Sequence, residues 1–79
     1  MEVGKERVTA AMFEELAMPL FDQLYNFAHW LTRNREEAED LVQETFRKAL
    51  YGFSSFQLGT DFRAWIFRIL RNVAPSRFS

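Results

Sequence analysis

The chain has 79 residues, 48% of them aliphatic or aromatic, a formal net charge of −1, three glycines, two prolines and no cysteine. Such a length buries roughly 60% of its unfolded surface, enough for one core but not for a deep two-lobed catalytic cleft. The composition argues against intrinsic disorder and a turn-rich barrel or sandwich, the absence of cysteine excludes a disulfide scaffold and any thiolate chemistry, and the lone His29 excludes a multi-histidine metal site.

No run approaches the ~18 apolar residues of a membrane span. The first six residues hold no apolar signal core. The expectation is a cytoplasmic chain that does not insert in a membrane. Charge divides unevenly along it. Residues 1–45 carry ten acids and four bases, a net −6, and residues 46–79 carry one acid and six bases, a net +5. Such a split suits two partners, one meeting an acidic surface and one a basic surface.

Residues 1–8 are polar and aperiodic and are expected to form a flexible arm before a domain over 9–79. Thr9 is placed to cap the first helix, predicted over 10–32. Phe13, Leu16, Ala17, Leu20, Leu24, Phe27, Ala28 and Leu31 recur at three and four, the helical spacing. Pro19 lacks a backbone donor and should kink or break this helix there. A second helix is predicted over 35–53. Asn34 is its cap, with Glu37 three residues on, and Glu36, Glu37, Glu39 and Asp40 suit the positive end of the helix dipole. Its apolar stripe is Ala38, Leu41, Val42, Thr45, Phe46, Ala49, Leu50 and Phe53. Residues 54–59 read as a loop. Thr60 or Asp61 caps a third helix, predicted over 61–73, with the stripe Phe62, Trp65, Ile66, Ile69, Leu70 and Val73, and Pro75 should stop it. No segment alternates with a period of two. The fold class is therefore all-α, a compact bundle of three main helices, with Leu24, Phe27, Leu31, Leu41, Val42, Ala49, Phe62, Trp65, Ile66 and Ile69 as its core.

Enzyme chemistry finds no footing. There is no glycine-rich phosphate loop, no nucleophile–base pair, and the clustered carboxylates sit where caps and solvated charge belong. No catalytic residue, metal or cofactor is expected. Two surfaces are more informative. On the second helix Asp40, Gln43, Glu44 and Arg47 stand at i, i+3, i+4 and i+7, opposite the apolar stripe, and should form one exposed face that can meet a basic partner. Between residues 48 and 72, aromatic residues (Tyr51, Phe53, Phe56, Phe62, Trp65, Phe67) interleave with Lys48, Arg63, Arg68 and Arg71. Aromatics stack on unpaired bases and arginines neutralise phosphates. Phe53, Phe62 and Trp65 fit the core; Phe56, in its loop, and Phe67, on the polar side of its helix, lack an obvious core role. A domain of net charge −1 is a poor coat for duplex DNA and better suited to reading a few exposed bases.

Ala38-Glu39-Asp40-Leu41-Val42-Gln43-Glu44-Thr45-Phe46, followed by Phe62-Arg63-Ala64-Trp65-Ile66-Phe67-Arg68-Ile69-Leu70-Arg71-Asn72, closely resembles conserved region 2 of bacterial sigma factors, and within them the extracytoplasmic-function group. The likeness covers about residues 12 to 73. It implies a transcription initiation factor domain, not an enzyme, with RNA polymerase and promoter DNA as partners. The matching positions for docking on the clamp helices of the polymerase β′ subunit are Asp40, Gln43, Glu44, Phe46 and Leu50, with Arg47 on the same face. Those for the non-template strand of the minus-ten element are Ser54, Ser55, Phe56 and Gln57, expected to hold a flipped base, and Arg63, Arg68, Arg71 and Asn72 of the third helix, with Lys48 beside them. An anti-sigma protein is a further partner, and holding the fold as such a module without productive DNA binding is the alternative reading. Primary sigma factors carry a Trp-Trp pair where this chain has Trp65-Ile66, which favours the extracytoplasmic-function group over the primary one. The chain stops at Ser79, before the family's region 4, and Pro75 falls where the family's helix usually runs on. The isolated domain is expected to be a monomer.

Overall fold

A computed structural model describes the backbone of residues 2–57 and 59–78 and the side chains of residues 10–57 and 59–74. Helix α1 runs Glu2–Ala17, α2 Phe21–Thr32, α3 Arg35–Gly52 and α4 Phe62–Phe78, with 3-10 turns at Met18–Leu20 and Phe53–Ser55. Among the described residues there is no strand, and no helix is long and apolar enough to cross a membrane.

The break at Pro19 is present as expected. Proline has no N–H to give to the fourth carbonyl before it; the ladder of α1 stops at Ala17, one 3-10 turn carries the chain past Pro19, and α2 starts at Phe21. With α1 and α2 as its two halves, the first helix and the two that follow make the all-α bundle. Both α3 and α4 begin at aspartate-like caps. Asn34 Oδ1 accepts from the Glu37 N–H at 2.9 Å, and Asp61 Oδ1 from the Ala64 N–H at 3.1 Å. Each satisfies one of the first-turn donors that a helix cannot pair internally. Asp61, rather than Thr60, is therefore the cap; the Thr60 hydroxyl donates instead to Gln57 O. The corner between α2 and α3 is tight because Arg33 adopts the left-handed conformation at φ 58° and closes α2 by donating its N–H to His29 O.

Two boundaries differ from expectation. Residues 2–8 form the opening turns of α1 rather than an arm before it, so Thr9 lies inside a helix rather than at its start. A polar segment lacks the apolar stripe that marks a packed helix, yet it can prolong one that its neighbours nucleate. Likewise α4 passes through Pro75 to Phe78; proline's fixed φ is itself helical, although its ring forfeits one ladder bond and crowds the carbonyl four residues back. Leu58 and Ser79 lie outside the described residues.

Phe13, Ala17, Leu24, Ala28, Ala38, Leu41, Val42, Ala49, Phe53, Phe62, Ile66, Leu70 and Val73 form the core. Leu31 belongs outside it, 40% exposed, since the chain turns away two residues later. Phe27, Trp65 and Ile69 are partly buried against the core rather than inside it. Buried Thr45 gives its hydroxyl proton to Leu41 O at 2.8 Å, one turn back on its own helix. That contact lets a polar side chain sit among apolar ones without a lost hydrogen bond.

Candidate protein and nucleic-acid interfaces

Helix α3 buries Ala38, Leu41, Val42, Thr45 and Ala49 on one side, which fixes what the other side presents. Asp40, Gln43 and Arg47 are exposed and Glu44 is half-buried. Next to this polar ridge, Phe46 is half-buried with edge contacts to Phe13 (6.2 Å between centroids) and a tilted one to Phe21 (6.1 Å). Leu50 stands 45% exposed. Phe46, Arg47 and Leu50 form the α3 wall of an open groove of about 370 Å³, whose opposite wall includes Phe13 and Ala17 of α1 and Met18 of the turn after it. At about 100° per residue, the arc from Phe46 to Glu44 covers roughly 160° of the helix. All six candidate docking residues thus lie on one continuous strip, a charged ridge bordering an apolar groove.

The other candidate surface lies where α3 hands over to α4. After the turn Phe53–Ser55, the loop is braced by its own hydroxyls. Ser55 Oγ donates to Gly52 O and Thr60 Oγ1 to Gln57 O, at 2.8 and 2.7 Å. Gly59 sits at φ 95°, where a side chain would be strained. Ser54, Ser55 and Gln57 are exposed. Phe56 is not the unpartnered aromatic that its position in the sequence suggests. Its ring lies nearly parallel to Phe53 (5.8 Å, 13°), edge-on to Phe62 (5.4 Å, 90°) and 4.9 Å from Trp65. It is half-buried at the rim of an aromatic cluster whose inner members, Phe53 and Phe62, are core. Phe67 is corrected in the same way. It packs on Phe27 at 5.8 Å and carries the Arg63 guanidinium 4.9 Å above its ring.

Along α4, Trp65, Arg68 and Asn72 follow one another at i, i+3 and i+7, the Phe56 side of the helix. Asn72 and Lys48 face each other across a cleft of about 300 Å³ between α4 and α3, floored by Ile69 and Val73. Phe56, Trp65, Arg68, Asn72 and Lys48 therefore make one surface. Arg63 does not join it. Nine residues separate it from Asn72, which is half a revolution, and it lies on the opposite flank, its Nε donating to Gln23 Oε1 at 2.9 Å. Arg71 is exposed on the back of α4, between the two flanks. Reading the arginines as one set by their closeness in sequence overlooked this division, which the nine-residue spacing itself carries.

The sigma-70 region 2 family model matches residues 16–79, which takes in both surfaces. This chain belongs to the sigma-70 region 2 family. Its relatives include ECF RNA polymerase sigma factors. The ECF RNA polymerase sigma factor EcfG of Rhodopseudomonas palustris (strain TIE-1) is 42% identical, over 77% of this chain and 40% of that protein. SigE of Mycolicibacterium smegmatis (strain ATCC 700084 / mc(2)155) is 38% identical, over 77% of this chain and 23% of its own. SigW of Bacillus subtilis (strain 168) is 34% identical, over 71% and 30%. The chain thus spans two fifths or less of the length of these curated relatives. The family and the group agree with the resemblance read from the two sequence motifs, and both motifs fall inside the matched region.

Proposed function

We propose that this region 2 domain acts in transcription initiation by holding RNA polymerase with the outer strip of α3 and the non-template strand of the minus-ten element with the Phe56–Asn72 surface. The observation that carries the reading is the meeting of unlike chemistries at one corner: exposed hydroxyls and an amide in the loop, an aromatic cluster whose rim ring is half open, and a cationic cleft within a turn or two. A flipped base needs a ring to stack on and polar groups for its edge, and its phosphates need cations. Phe56 with Trp65 offers the first, Ser54, Ser55 and Gln57 the second, and Lys48 and Arg68 the third. Asn72 adds an amide that can pair with a base edge.

The polymerase strip has the mixture that protein interfaces use, apolar contact bordered by charge. Asp40, Gln43 and Glu44 supply acceptors for a basic partner; Phe46 and Leu50 supply apolar area; Arg47 gives the ridge one cation. An inhibitory protein of the anti-sigma kind is the second reading for this same strip. The apolar groove between α1 and α3 favours it, since it offers a preformed seat for a side chain of a partner helix. The test is binding of the 79-residue chain to single-stranded oligonucleotides varied one base at a time, alongside a β′ clamp-helix fragment. Base-dependent DNA affinity together with clamp binding supports the initiation reading. Clamp or inhibitor binding without any affinity for DNA leaves only the interaction module.

A further inference from the structure

On the flank of α4 turned away from Phe56, two helices bring together a second set of aromatic and cationic side chains. Gln23, Phe27 and Trp30 follow one another at i, i+4 and i+7 on α2. Arg63 and Phe67 follow at i and i+4 on α4, with Arg71 a further turn on, at the edge of this flank towards the exposed back of the helix. Arg63 reaches Gln23 and Phe67 reaches Phe27; both pairs are 40 residues apart, so the two helices run parallel in that register. The same register brings the Trp30 turn level with residue 70, beside Arg71.

Trp30 is 64% exposed, a large apolar side chain left mostly to solvent. Its indole lies almost parallel to Phe27, at 12° and 6.3 Å, and Phe27 in turn meets Phe67. One side of the indole is backed by a ring while most of it remains open. Cations flank this series of rings. Arg33 is folded back, its Nε donating to Trp30 O at 3.3 Å, and Arg63 is held over Phe67. Neither stripe contains a carboxylate. On the two helices and their caps, Asp22 lies about 100° round α2 from Gln23, and Asp61 is engaged in capping Ala64. Three arginines of a net acidic domain thus border this seam, Arg33 at Trp30, Arg63 at Phe67 and Arg71 one turn on.

We propose that this α2–α4 seam is a second stacking site for single-stranded nucleic acid, with a base on Trp30 and phosphates on Arg33, Arg63 and Arg71. Stacked rings accept any base, and guanidiniums follow the backbone, so the site is sequence-tolerant. It builds on the promoter reading: Arg63 follows Phe62, which packs on Phe56, so a strand leaving the loop reaches the seam by rounding the first turn of α4. The loop would select and the seam would hold.

The test compares a short minus-ten oligonucleotide with versions extended by about ten thymidines at either end, a length within single-strand site sizes. One extension should raise affinity for the wild-type chain. Trp30→Ala should lower affinity for that extended strand about 5- to 100-fold, leave the short one unchanged, and keep the helical circular dichroism. Trp30→Phe, which preserves a stacking face, should restore most of the gain. Phe56→Leu should instead alter base preference in the short strand and leave the gain from length intact. If Phe56→Leu changes no preference while the gain still depends on Trp30, the promoter reading fails and the seam stands. Equal length gains in wild type and Trp30→Ala, or no gain in wild type, would overturn the seam. So would loss of polymerase binding by Trp30→Ala with DNA affinity unchanged, which would make the seam a protein contact.

Discussion

Replacing Phe56 separates its structural part from its proposed role in base reading. In the core, Phe→Ala costs about 3–5 kcal/mol. Phe56 is half-buried, so about half of that is expected, roughly 2 kcal/mol. Its contacts with Phe53, Phe62 and Trp65 fall within that figure, since each aromatic pair adds only about 0.5–1.5 kcal/mol beyond burial. At roughly 0.05–0.15 kcal/mol per residue, a chain of this length has about 4–12 kcal/mol to lose. Phe56→Ala should therefore still fold, with its thermal midpoint lowered by about 8–16 °C. Phe56→Leu retains the apolar volume and removes only the ring, so its midpoint should stay much nearer wild type. For DNA both variants lack the stacking face, and both should lose about 1–3 kcal/mol of affinity, roughly 5- to 100-fold, with the preference flattened at one base position. The assay is fluorescence anisotropy on the oligonucleotide panel, well below the midpoint of each variant, with thermal melts in parallel. If Phe56→Leu retains every base preference, no base stacks on Phe56. If Phe56→Ala melts with the wild type, the ring is not part of the cluster.

On α3, converting Asp40 and Gln43 together to Ala should weaken clamp-helix binding by about 1–3 kcal/mol per lost anchor and leave circular dichroism unchanged; wild-type affinity in the double variant would leave the strip as a solvated face. Arg68→Ala should weaken binding to all short minus-ten strands alike and reduce the salt slope by about one, the signature of a phosphate contact, whereas Arg63→Ala, on the other flank, should change the short strand far less. Asn34→Ala removes the acceptor of the Glu37 N–H and should cost about 1 kcal/mol, a midpoint loss of about 4–8 °C by thermal melting, with DNA affinity intact.

The elements were legible in the sequence because their causes are local. Pro19, without an N–H, interrupts the ladder of the first helix, and Asn34 and Asp61 each cap the helix that follows them within one turn. The spacing of Asp40, Gln43 and Glu44 puts them on one face of α3 for the same reason. The polar start of α1 carries no periodic stripe to mark it, and Pro75 marks a stop that the helix nevertheless passes. What each side chain meets was decided elsewhere. Phe56 joins a cluster whose other members come from two different elements, and Phe67 is covered by Phe27 from a helix 40 residues earlier. Trp30 stays in solvent while Leu24, two turns before it on the same helix, is completely buried. Periodicity says which residues share a face; only the packing of α2 along α4 and of α3 across both says which faces are covered, because burial is a property of the pair of surfaces and not of either one alone.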